Sequence, residues 1–284
     1  MMQISSLEKV TGLDRASFIE NYLKPLRPVV FTDLTKDWSA LHNWSVESFK
    51  RKYGTLKVSV YSGSRTREGE DYVEPNNHMP FGEFLDMLVS PEPCDLRLFL
   101  FNIFKHAPEL RRDFSLPNIT DGFYNDFPFM YFGGKGSRVA MHYDIDLSHV
   151  FLNQIHGLKR VVLFSHDQSR LIYQLPYTVA SYIDINNPDY ERYPALRLVK
   201  GAEVILNPGE TLFIPSGYWY YIEYIEGGYS ISLRANESIR RRIRGAANIA
   251  THFVVDKGMN KLMGARWQEL KSRIAIHRAE ALIK

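Results

Sequence analysis

The stretch AMHYDID, residues 140–146, holds the residue types with most chemistry to offer. His142 and Asp144 stand two residues apart, a spacing that on a strand projects both side chains from one face. An imidazole and a carboxylate so placed can hold one metal ion. The same pair can also close a strand end by hydrogen bonding to its neighbours, and spacing alone does not choose between these readings.

The elements that must position the pair are legible around it. Residues 56–63, LKVSVYSG, alternate as a strand does, and 95–104, DLRLFLFNIF, is apolar enough for a buried strand. LDRASFIENYLK and FGEFLDMLVS carry apolar residues at helical spacing, with Asp14 as N-cap of the first and Pro25 as its stop. From Met130 the texture changes. SRVAMHYD, HVFLNQIHG, KRVVLFS, AEVILNPGETLFIP, WYYIEYI and YSISLRAN suit strands, with HG, NPGE and EGG as turns, which suggests an antiparallel sandwich or barrel. After Asn236 the helical pattern returns in ESIRRRIRGAANIATHFV and KLMGARWQELKSRIAIHRAEALIK, where the basic run reads as a solvated helix face. No repeat or linker interrupts the chain. It reads as one domain over 1–284: an N-terminal α/β extension over about 1–125, a β core over about 126–236, and C-terminal helices over about 237–284.

Composition narrows the function classes. The 284 residues are 45% hydrophobic and 13% aromatic, enough for a substantial core. Thirty-five basic residues against thirty-two acidic ones leave a formal charge of +3, too balanced to point to a nucleic-acid partner. Cys94 is the single cysteine, which excludes an intramolecular disulfide and a cysteine-built zinc site and suits a reducing compartment. The start MMQISSLEKV lacks the basic segment and apolar run of a signal peptide, and no stretch approaches the roughly 18 apolar residues of a membrane span. The expected setting is the cytoplasm, with no membrane partner.

Four separated pieces, HYD at 142–144, QIHGLKRVVLF at 154–164, NNPDYERYP at 186–194 and NPGETLFIPSGYWYYIE at 207–223, occur in the order seen in cupin-like JmjC-domain proteins. The chain most resembles the asparaginyl hydroxylases of the factor-inhibiting-HIF type. That resemblance implies a double-stranded β-helix, a jelly roll of eight strands, with an N-terminal α/β extension and C-terminal helices that pair two subunits. It further implies an Fe(II) and 2-oxoglutarate-dependent dioxygenase acting on a protein, peptide or small molecule. In such enzymes His-x-Asp and a later histidine hold iron from one face, leaving open positions for co-substrate and oxygen. His142 and Asp144 match the first two ligands. Lys159 matches the basic residue that pairs with the distal carboxylate of 2-oxoglutarate. Since neighbours on a strand face opposite sides, either Lys159 or Arg160 must point into the barrel, and Lys159 is expected there.

The resemblance breaks at the third ligand, where the matching residue is Tyr220. No histidine lies between 167 and 251 to replace it. Tyr220 could ligate a metal as phenolate, although a tyrosine of ordinary pKa near 10 would need the ion itself to ionise it. His149 could swing in as a substitute, since two extra residues fall in IDLSHV. Or Tyr220 fills the vacated space and hydrogen-bonds Asp144 or His142. The co-substrate pocket departs too: Val139 and Val150 stand where relatives have threonine and asparagine, and Arg234 replaces the asparagine of the relatives' VNFW. Arg234 either clamps a carboxylate from a new direction or is an exposed strand-end residue. Two functions therefore compete, an oxygenase with an incomplete triad and a catalytically inactive module that binds a peptide or organic acid.

Overall fold

The structure is a computed structural model and describes residues 1–62, 75, 77–99, 101–126 and 128–283. Its centre is a jelly roll of eight strands, β7 (Phe129–Gly133), β8 (Arg138–His142), β9 (His149–His156), β10 (Lys159–Phe164), β11 (Lys200–Leu206), β12 (Thr211–Ile214), β13 (Trp219–Tyr224) and β14 (Gly228–Ala235). They alternate between two facing sheets, in order β12-β9-β14-β7 and β11-β10-β13-β8. That is the double-stranded β-helix expected of the family resemblance, with NPGE splitting one sequence run into β11 and β12.

An α/β extension widens the first sheet on both edges. β2 (Lys9–Val10) and β3 (Val29–Phe31) continue it past β12, and β6 (Leu96–Leu98), β4 (Lys57–Ser62) and β5 (Asn77–Pro80) continue it past β7. β1 (Gln3–Ser6) adds a parallel strand to β11 in the second sheet. Helices α1 (Arg15–Phe18), α2 (Ala40–Asn43), α3 (Val46–Tyr53) and α4 (Phe81–Val89) belong to the same extension. Asp14 caps α1 through the Ser17 N–H, and the helix runs on as a wider turn to Leu23, just before Pro25. Phe18, Phe49, Phe81, Phe132, Phe151 and Tyr229 form an aromatic core in which the outer side of the large sheet meets these helices. Burying rings of this size dominates the energetics of such a layer.

Two expectations need correction. The run 95–104 is not one buried strand: β6 ends at Leu98 and a 3-10 turn covers Ile103–Lys105, because the Asn102 side chain accepts the Phe104 N–H and caps it. Leu100 within that run, and Gly63 at the end of the 56–63 strand, lie outside the described residues. The last helical run is broken. α5 (Ile239–Thr251) leads through a π turn into α6 (Lys257–Met263), and Gly264, at φ +54°, turns the chain into α7 (Ala265–Glu280). Asp256 pins this arrangement, accepting from Lys271 Nζ at 2.6 Å and Trp267 Nε1 at 2.9 Å.

Alternation on the barrel strands sorts the site. On β13, Tyr220, Ile222 and Tyr224 pack inward with Val150, Leu152, Val161 and Leu163, while Trp219 and Tyr221 pack outward. Gly157, at φ +71°, makes the turn from β9 to β10, and a Cβ there would meet Gly227 O at 2.4 Å. β10 therefore leaves the turn with Lys159 inward and Arg160 outward, the latter paired with Glu203.

Candidate functional site in the barrel

His142 ends β8 directly opposite Tyr220 of β13. Between Val139 and His142 the ladder is irregular, three steps on β8 facing two on β13, so Val139 and His142 meet the same strand from the same side despite their odd spacing. The rings of His142 and Tyr220 lie 4.3 Å apart. His142 Nδ1 donates to Ala140 O at 2.8 Å, which leaves the lone pair on Nε2. Burial holds the imidazole below its ordinary pKa and therefore neutral.

Asp144, two residues on, is served from across the barrel. Tyr220 Oη donates to Asp144 Oδ1 at 3.1 Å and Arg234 Nη2 donates to the same oxygen at 2.9 Å. Arg234 Nη1 reaches Asp146 Oδ1 at 3.2 Å, so one guanidinium bridges two carboxylates. Burial opposes the charge of Arg234, but Asp144, Tyr131 and Asp146 hold it well above the ordinary arginine range. Burial, with the Asp144 charge beside it, pushes the Tyr220 phenol well above its ordinary pKa, so it stays protonated and acts as a donor. Asp144 Oδ2 is buried and has no hydrogen-bond partner among the described residues.

These positions correct three expectations. Tyr220 is not poised as a phenolate ligand; it fills the space and hydrogen-bonds Asp144, one of the three readings of its position. Arg234 is not an exposed strand-end residue. It stands opposite Val150 on β14, faces inward, and its terminal nitrogens are taken by protein carboxylates, while Nε is buried without a partner among the described residues. His149 is not a substitute ligand. Alternation on β9 points Val150 and Leu152 into the barrel and His149 to the other side, against Phe213. Its Nδ1 accepts the Ser216 N–H at 3.0 Å, and its Nε2 lies 2.6 Å from Arg241 Nη1 and 3.4 Å from Glu237 Oε2.

The family's iron would need three protein donors on one face. Among the described residues no group of three His, Cys, Asp or Glu is arranged to hold a metal ion. His142 Nε2 and Asp144 Oδ2 remain as two donor atoms, with a protonated phenol and a guanidinium where further positions would be. This donor set does not fit the facial arrangement of two histidines and a carboxylate.

Farther along the barrel sits Lys159, 1% exposed. Its ammonium hydrogen-bonds the Ser230 hydroxyl and lies 4.4 Å from the centre of the Tyr224 ring, and no carboxylate among the described residues pairs with it. Burial pulls its pKa down to about 7. Arg97 was missed from the sequence. It pairs with Gly133 across β6 and β7, so its side chain shares a face with the point where a Gly133 Cβ would strike the Tyr224 ring at 2.6 Å. Its Nε is buried without an acceptor among the described residues, and burial lowers its pKa. An arginine inside the apolar run DLRLFLF was the available signal. Val139 and Val150 join the apolar lining around Tyr220 and Tyr224. A surface cleft of about 360 Å³ lined by Trp44, Arg51, Lys52 and Asp113 includes none of these residues.

The sequence profile of a cupin-like domain matches residues 15–236, most of the chain. Among curated proteins, the chain is 28% identical over 223 residues to lysine-specific demethylase 8 of Xenopus tropicalis, covering 76% of this chain and 49% of that protein. It is 26% identical over 265 residues to arginine-specific demethylase JMJ20 of Arabidopsis thaliana, covering 81% and 57%. It is 25% identical over 250 residues to tRNA wybutosine-synthesizing protein 5 of Danio rerio, covering 78% and 73%. The chain thus spans about half the length of the demethylases it matches.

Proposed function

The chain belongs to the cupin-like JmjC domain family, and from that premise we propose that its barrel is a binding module for a carboxylate, on a small organic acid or a peptide, which Lys159 receives as counter-charge. The observation that carries this reading is a lysine buried in the barrel with a hydroxyl and an aromatic face but, among the described residues, no carboxylate. An isolated buried ammonium is costly, so the empty site favours the neutral amine and an arriving anion favours the charged one. Binding at pH 8 therefore draws a proton onto Lys159. Tyr224, which covers the amine, has to give way for the ligand to reach it. The relatives' names span lysine demethylation, arginine demethylation and tRNA modification, so they do not select a substrate. The proposal includes a cytoplasmic setting and a homodimer through the C-terminal helices, where Ile239, Ile243, Phe253, Val254 and Leu262 are exposed. No helix among the described residues is long and apolar enough to cross a membrane.

Isothermal titration with succinate and with acetate at pH 8, in two buffers of different ionisation heat, tests this reading. Binding with proton uptake that is lost in Lys159→Met is the expected result. Binding without uptake, or equal binding by the variant, refutes it.

A second reading draws on family membership and on the unpartnered Asp144 Oδ2 beside His142. It is an Fe(II) and 2-oxoglutarate-dependent hydroxylase of the asparaginyl type with an incomplete triad. Anaerobic addition of Fe(II) with and without 2-oxoglutarate separates the two: a metal-to-co-substrate absorption band seen only with both present supports the oxygenase, and no band supports the binding module.

A further inference from the structure

We infer that Arg234 and Tyr220 jointly stand in for the metal ion, the guanidinium as the site's permanent cation and the phenol as the filler of its third-ligand position, so that the barrel is organised without a metal. A buried carboxylate needs a counter-charge, and in a metal centre the ion supplies it. Here the counter-charge is part of the chain. Arg234 Nη2 and Tyr220 Oη converge on one oxygen of Asp144, at 2.9 and 3.1 Å, and Arg234 Nη1 extends the bridge to Asp146 at 3.2 Å. His142 is held from its other side by Ala140 O. A divalent ion on His142 Nε2 and Asp144 would sit against a guanidinium already bonded to that carboxylate, and the like charges would repel in a buried setting.

The two replacements are therefore coupled. Changing Tyr220 to histidine alone adds a donor but leaves the resident cation on Asp144. Changing Arg234 alone frees Asp144 but leaves the third position to a phenol. Only the paired change gives three donors and a free carboxylate. This inference concerns the Asp144 end of the barrel and stands apart from acid binding at Lys159, which its outcome leaves untouched.

The experiment is Co(II) titration by calorimetry, with metal content after dialysis, on the wild type, Tyr220→His, Arg234→Asn and the double variant. The expected result is that the double variant binds Co(II) roughly tenfold or more tightly than any of the other three. Wild type or Tyr220→His alone binding as tightly as the double variant overturns the inference, as does a folded double variant that binds no better than wild type. A second measurement covers the case in which the double variant fails to fold. Melting temperatures of Asp144→Asn, Arg234→Asn and the two combined should show coupling: Arg234→Asn lowers the melting temperature and the added Asp144→Asn restores part of the loss, because no buried charge is then left alone. Additive losses overturn the inference.

Discussion

Replacing Lys159 by methionine should make the protein more stable near neutral pH and remove a specific part of its pH dependence. The amine is buried, touches Ser230 Oγ and the Tyr224 ring, and titrates near pH 7 in the fold against about 10.5 in the unfolded chain. A base with a depressed folded pKa binds fewer protons folded than unfolded throughout the interval between the two values. Stability therefore rises with pH from about 7 to about 10.5, by at most about 1.4 kcal/mol per unit. From pH 7 to pH 9 the wild type should gain about 2 kcal/mol from this residue, or some 4 °C in melting temperature at about 2 °C per kcal/mol. Methionine fills a similar volume, forfeits one hydrogen bond and carries no charge. The assay is urea unfolding of both proteins at pH 7, 8 and 9, and the difference between them cancels the other titrating groups. A difference favouring methionine at pH 7 and shrinking toward pH 9 is expected. Parallel pH profiles, or a variant weakened equally at every pH, would mean that Lys159 is charged and compensated in the fold, and the reasoning would fail.

Tyr220→Phe removes one hydrogen bond to Asp144 and should cost about 1 kcal/mol in urea unfolding, with Arg234 keeping the carboxylate paired. Asp256→Asn leaves Lys271, 2% exposed, without its counter-charge, and should destabilise by about 3 kcal/mol or more, read by thermal unfolding. Gly157→Ala places a Cβ 2.4 Å from Gly227 O at a positive φ, and should cost more than about 1 kcal/mol or shift the β9-β10 turn, visible as lost amide protection there. Arg97→Met removes a buried guanidinium whose Nε has no acceptor among the described residues; it should leave the melting temperature unchanged or higher while weakening succinate more than acetate in calorimetry.

Local pattern carried the reading of this chain as far as local pattern reaches. The period of two told which residues of a strand share a face. It required one of Lys159 and Arg160 to face inward, with the family resemblance choosing Lys159, and it put His142 and Asp144 on one side. Asp14 and Pro25 marked the limits of the first helix for equally local reasons. The absent third histidine was visible by inspection, and so was the set of ways Tyr220 could fill its place. Which of them holds depends on contacts that no window contains. Tyr220 and Arg234 reach Asp144 across 76 and 90 residues, through cross-strand register and an irregular ladder between β8 and β13. Register also turned His149 away from the barrel and brought Arg97 toward Tyr224. The sequence determined which side chains could face the barrel. The packing of the two sheets decided which of them meet, because charge pairing in a buried site is settled by distance in space.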